Sequence, residues 1–248
     1  MPYVYRLQLL WFSIAMGLFI SSQGLSEVIL DLEVGAVKTG YNYFKRPNDD
    51  SGTRIDLEGR DSQFYTRFQA FYQISPNQKI RLLLAPLTVD YEQTATLSTR
   101  YDDTIFPAGS ELDIRYQFNS WRLGYIYTLV VIEDFHFDLG FTGKIRDALI
   151  RVKSNSASDQ FSNIGFVPLI YMAAEAKLGP KAIIGFQADG AAAPQGGAID
   201  LGLFGGYHLF PHIQLKLGGR YLEGGADNDS LEGFAQFWYG FGATSIKF

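Results

Sequence analysis

Every second residue changes character between Phe135 and Arg146. Phe135, Phe137, Leu139, Phe141 and Ile145 share one parity, and His136, Asp138, Gly140, Thr142, Lys144 and Arg146 share the other. Side chains of a strand alternate between its two faces, so the pattern predicts a strand with one apolar and one polar side. The two-residue period recurs down the chain, and no stretch past residue 26 has the roughly 18 uninterrupted apolar residues of a spanning helix. If such a chain crosses a membrane, a closed β-barrel is the one solution left, because lipid satisfies no open backbone group.

Segments with this period number about ten, an even count as single-chain bacterial barrels have. They cover Leu30–Phe44, Gln63–Ile74, Lys79 to Glu92, Glu111–Leu129, Phe135 past Arg146, Asn163–Leu178, Ile184–Asp189, Ile199–Leu209, Ile213–Tyr221 and a closing strand ending at Phe248. Tight turns are expected at Ser75–Gln78, Ile132–Asp134, Gly179–Pro180 and Phe210–Pro211. Longer connections are expected at Lys45–Asp61, Gln93–Ser110, Ser154–Gln160, Gly190–Gly197 and Gly224–Ser230. Short turns then fall at one end and long loops at the other. Pro86 suggests a bulge in the third strand. In the fourth, Leu112, Ile114, Tyr116 and Phe118 occupy one parity and Trp121, Leu123, Tyr125, Tyr127 and Leu129 the other, so a bulge is expected near Asn119. The closing strand poses the same question. Phe237, Tyr239 and Phe241 fall on the polar parity counted from Phe248, so either a bulge near Gly240 or Gly242 switches the faces or these rings fill the barrel.

Composition narrows the function classes. Charged residues make up 19% of the chain, below the roughly 25% of soluble domains, and aromatics make up 15%. A net charge of −5 argues against a nucleic-acid partner. Cysteine is absent, which removes disulfides, zinc–thiolate sites, thiol nucleophiles and a lipidated N-terminal cysteine. Residues 1–26 read as a signal peptide: Arg6 supplies the positive start, Leu9 to Ile20 the apolar run, and small residues follow to Ser26. The remainder, 27–248, is expected to form one barrel domain.

The period does not say which face points outward. Charge mixed with glycine on the polar face suits a crowded lumen, and aromatics at strand ends suit membrane interfaces, so the apolar face is expected to meet lipid. The polar parity then carries Arg67, Arg122, Lys144, Arg146, Glu175, Asp189, Asp200 and Arg220 into the interior. Two readings of these charges stay open: a salt-bridged plug, or a narrow polar pore with a solute site. Pairing is expected in both, since lone buried charges are costly. His136, His208 and His212 each adjoin a short turn and are expected to pack there. No Ser–His–Asp convergence, phosphate-binding Gly-x-x-x-x-Gly-Lys or complete calcium loop is present. Asp227-Asn228-Asp229 lacks the EF-hand spacing, so neither a metal nor a cofactor is expected.

Several stretches resemble a family of uncharacterised bacterial outer-membrane β-barrel proteins: Ala85-Pro-Leu-Thr88, Phe106-Pro-Ala-Gly109, Lys144-Ile-Arg-Asp147, Gly165-Phe-Val-Pro168, Ala193-Pro-Gln-Gly196 and Gly224-Gly-Ala-Asp-Asn-Asp229. The resemblance implies an all-β, antiparallel up-and-down transmembrane barrel in a bacterial outer membrane, with membrane lipid as its surroundings. The terminal Phe248 looks like the aromatic address that barrel-assembly machinery reads in such proteins. Omptin-type outer-membrane proteases use paired acids and a His–Asp pair at the outer rim, and no histidine here falls near that rim. The expectation is therefore a structural or narrow-channel barrel rather than an enzyme, with a membrane-embedded enzyme acting at the outer rim as the alternative.

Overall fold

The computed structural model describes residues 27–57, 61–194 and 196–248; the expected signal peptide lies outside them. Every regular element among the described residues is a strand. In chain order these are β1 Val28–Lys45, β2 Arg54–Leu57, β3 Gln63–Ser75, β4 Gln78–Ala85, β5 Thr88–Thr94, β6 Thr99–Tyr101, β7 Thr104–Phe106, β8 Glu111–Ile132, β9 Phe135–Lys153, β10 Ser158–Lys177, β11 Ala182–Ala193, β12 Gly196–Phe210, β13 Ile213–Asn228 and β14 Leu231–Lys247. Ten staves run up and down around the wall, with β4 and β5 end to end as one of them. The last stave pairs antiparallel with the first, from Ile29 opposite Lys247 to Lys45 opposite Glu232. That closure leaves no sheet edge around the barrel's lower half.

The outward parity is apolar across a broad band. Leu123 is 62% exposed, Phe166 65%, Leu203 58% and Leu217 75%. A continuous surface of this kind has no stable place in water. It is the lipid-facing band of a membrane barrel, flanked by Tyr41, Tyr221 and Trp238, and the inward parity holds the charges.

Two expected bulges are absent, for related reasons. Ala85 faces Ser120 and Thr88 faces Gln117, so Pro86 breaks the ladder without shifting its register. Pro86 offers no donor, and the Asn119 side chain fills the gap by accepting from the Leu87 N–H at 3.2 Å. The pairing of β8 with β9 runs unshifted from Asp113 opposite Lys153 to Thr128 opposite Asp138. Leu112, Ile114, Ser120, Arg122, Ile126 and Thr128 therefore all point inward and are buried. The strand does not turn over; its surroundings change. At membrane depth lipid lies outside and polar groups go in. Above the membrane water lies outside, so Glu111, Asp113 and Arg115 face out and Leu112 and Ile114 form a core. The real bulge on this side lies between Thr39 and Tyr41 in β1, at Gly40. It turns both Thr39 and Asn42 toward the Tyr91 hydroxyl, at 2.8 and 3.1 Å.

The expected loop at Ser154–Gln160 turns over residues 154–157 and is strand from Ser158, whereas the expected loops at Gly190–Gly197 and Gly224–Ser230 are mostly strand. Their polar and glycine-rich composition marks solvent around extended staves rather than turns. The Gln93–Ser110 segment folds as the β6–β7 hairpin and enters the upper end. Tyr101 and Phe106 are fully buried there. The Tyr101 ring meets Phe44 edge-on at 5.3 Å, and its hydroxyl donates to the Ile150 carbonyl at 3.0 Å. Burial pushes that hydroxyl above its ordinary pKa. With Ile55, Leu57, Val89, Ile114 and Val152 these rings form an apolar cap over the lumen.

Candidate functional site

Beneath the cap, at membrane depth, the inward parity of seven staves brings seven charged side chains into contact. Asp189 on β11 accepts from Arg81 on β4 at 2.6 Å and from Arg122 on β8 at 2.7 Å. Arg122 also reaches Asp200 on β12 at 2.7 Å, and its Nε donates to Ser120 Oγ at 2.9 Å. Asp200 accepts further from Arg67 on β3 at 2.9 Å and from Arg220 on β13 at 2.7 Å. Arg220 continues to Glu33 on β1 at 2.8 Å, and Glu33 accepts from the Tyr65 hydroxyl at 2.6 Å. β4 and β8 stand across the barrel from β11 and β12, so the chain of ion pairs crosses the lumen. Rings complete the layer. Arg81 lies over Tyr171 at 4.4 Å and Arg220 over Phe241 at 5.6 Å, while Tyr65 and Tyr239 meet edge-on at 4.7 Å.

No bulge occurs at Gly240 or Gly242; the registers of β14 with both neighbours run straight through them. Phe237, Tyr239 and Phe241 are buried inside the barrel, the second of the two outcomes posed above.

Of the eight charges placed inside from the sequence, Arg67, Arg122, Asp189, Asp200 and Arg220 belong to the network. The other three point inward but lie elsewhere. Glu175 borders a cavity of about 390 Å³ at the end that carries the short turns. Lys144 and Arg146 border a second cavity, of about 290 Å³, above the network. Two network members, Glu33 and Arg81, were not among the candidates. The signal for them was the same parity: Glu33 alternates with Leu32 and Val34, and Arg81 with Ile80 and Leu82.

The network holds four guanidinium groups (Arg67, Arg81, Arg122, Arg220) against three carboxylates (Glu33, Asp189, Asp200), one positive charge in excess. Arg81 Nε and Nη1, Asp189 Oδ1 and Thr142 Oγ1 are buried without a protein partner among the described residues. The lower mouth has its own pairs. Asp138 meets Lys79 at 2.9 Å and the Thr128 hydroxyl at 2.6 Å, and Asp31 meets Lys216 and the Ser245 hydroxyl, both at 2.6 Å. His136, His208 and His212 border this lower cavity. At the opposite end Asp227 accepts from Asn48 at 2.9 Å, which ties the β13–β14 turn to the segment after β1.

The barrel is similar in architecture to the outer-membrane protease OmpT from Escherichia coli, with a TM-score of 0.62 at 8% identity over 90% of this chain and 97% of that one. The likeness is one of fold. Looser likenesses, on which no argument rests, include the attachment invasion locus protein Ail of Yersinia pestis (TM-score 0.42, 10% identity, 89% of this chain and 99% of that one). Another is an outer membrane channel from Pseudomonas putida F1 (TM-score 0.42, 8% identity, 93% and 98%). No protein-family model matches the sequence, and a search of curated proteins gives no match.

Proposed function

We propose that this chain is an integral barrel of a bacterial outer membrane whose role is structural, with the lumen closed to solutes along its axis. The observation that carries this reading is the ion-pair chain from Arg81 through Asp189, Arg122, Asp200 and Arg220 to Glu33, which spans the interior under an apolar cap. Each member is fixed by two or more partners or by a ring, so opening a path would separate charges in a place of low dielectric. The lower cavity is then a vestibule facing the turn side. The rim-enzyme alternative has less support: all three histidines lie at the turn end, away from the outer rim.

Planar-bilayer recording of the purified chain tests the proposal. The expected result is no steady ohmic conductance in the native chain. Stable channels in the native chain would show the narrow-pore reading to be the correct one.

A further inference from the structure

The barrel wall has a seam. β10 and β11 pair from Lys177 opposite Ile183 up to Ile170 opposite Gly190, and the ladder stops there. Both strands continue: β11 to Ala193, and β10 upward to Ser158, paired on that stretch with β9 alone. Pro168 stands where the ladder would go on and supplies no donor. The seam opens on the apolar outer surface between Phe166 and Ile170, both exposed. Behind it lies the 290 Å³ cavity, walled by Val167, Leu169, Ala191, Ala193, Ala198 and Leu222.

Two cations look into that cavity. Lys144 sits opposite Val167 across the β9–β10 ladder and is 3% exposed. Among the described residues it makes no hydrogen bond or ion pair; its contact is the Phe118 ring, 4.5 Å away. Arg146 donates to Asn163 Oδ1 at 2.5 Å, but its Nε is buried with no partner. The neighbouring carboxylates, Asp189 and Asp200, are already outnumbered by the guanidinium groups around them. A buried lysine amine without a hydrogen-bond or ion-pair partner among the described residues, facing an apolar pocket that opens toward lipid, has the features of a head-group site: one anion held by the two basic side chains, one hydrocarbon chain leaving through the seam.

We propose that this seam binds a long-chain carboxylate, with the carboxylate on Lys144 and Arg146 and the acyl chain passing between β10 and β11 into the lipid. A carboxylate fits better than a bulkier head because the cavity of about 290 Å³ holds only about ten non-hydrogen atoms at the volume of one water each. This reading rests on the membrane placement of the barrel and is independent of whether the lumen conducts.

The test uses the full chain folded in detergent micelles, with heat-modifiable gel mobility as the check that the barrel itself is intact. A dansyl-labelled long-chain carboxylate is titrated and then displaced with oleate, methyl oleate or acetate. The expected result is saturable binding, displaced by oleate, at least about tenfold less well by methyl oleate, which lacks one charge-assisted hydrogen bond, and less well by acetate, which lacks the apolar chain. Lys144→Met is expected to weaken binding by a similar factor and Lys144→Arg to restore most of it. Ala198→Phe, which fills the pocket and leaves Lys144 in place, is expected to abolish binding and serves if Lys144→Met does not fold. Absence of saturable binding, equal displacement by the methyl ester, or unchanged binding in folded Lys144→Met or Ala198→Phe would each overturn the proposal. Loss of heat-modifiable mobility in the native chain would instead overturn the barrel reading.

Discussion

Replacing Asp200 by asparagine removes the carboxylate at the centre of the charged layer while keeping its shape. Three guanidinium groups lose a partner, but not equally. Arg122 retains Asp189, and Arg220 retains Glu33. Arg67 has no other carboxylate among the described residues and is left buried with its charge uncompensated. Breaking a buried pair in this way costs about 3–5 kcal/mol, most of it the penalty on the stranded charge. The double variant Asp200→Asn with Arg67→Met removes that charge and is expected to recover at least half of the loss. Urea unfolding in phospholipid vesicles, followed by tryptophan fluorescence, gives both free energies under linear extrapolation. If Asp200→Asn falls within about 1 kcal/mol of the native chain, a surface-like value, the layer is not the dry ion-pair network described. If the double variant is no more stable than the single, the loss does not come from stranding Arg67.

Other outcomes follow from the same geometry. Leu217→Arg places a charge on the lipid face of β13 and is expected to cost about 2–4 kcal/mol in vesicle unfolding, a depth-dependent penalty absent for the outward Arg115 above the membrane. Asn119→Leu leaves the Leu87 N–H without its acceptor beside Pro86 and is expected to cost about 1–3 kcal/mol by the same assay. Tyr101→Phe removes one buried hydrogen bond, a loss of about 0.5–1.5 kcal/mol. Because burial holds the Tyr101 hydroxyl above its ordinary value, the unfolded chain ionises first as pH rises past about 10. Stability should be level below that pH and fall above it, and Tyr101→Phe should flatten the fall.

The strand positions, closure and face assignment were legible because a two-residue period survives any change of partner. Phe135 to Arg146 reads the same in sequence and in structure. The charged layer was legible residue by residue but not as a network: nothing in the local pattern says that Asp200 meets Arg67, 133 positions away. The aromatic run Phe237–Phe241 leaves both a bulge and a ring-filled interior open, and the unshifted registers place the rings inside. A parity switch at Asn119 reads as a bulge only if lipid lies outside along the whole strand. The staves rise past the membrane, so the same inward parity carries Arg122 at one height and Leu112 at another. Polar stretches such as Gly224–Asn228 likewise looked like loops because solvent and turn leave similar compositions. The true bulge at Gly40 left no signal, since Thr39 and Tyr41 suit either face.

That single-parity account is most directly tested by cysteine scanning along β8 in a chain that contains no cysteine of its own. Single cysteines from residue 111 to 127 in vesicle-embedded protein are treated with a water-soluble maleimide and, separately, with a lipid-confined quencher of an attached fluorophore. The expected result is that odd positions alone respond throughout, to the maleimide at 111, 113 and 115 and to the quencher at 121, 123, 125 and 127, while even positions stay protected. Labelling of 112, 114 and 116 by the water-soluble reagent would mean that the strand turns over near Asn119, and would contradict the account.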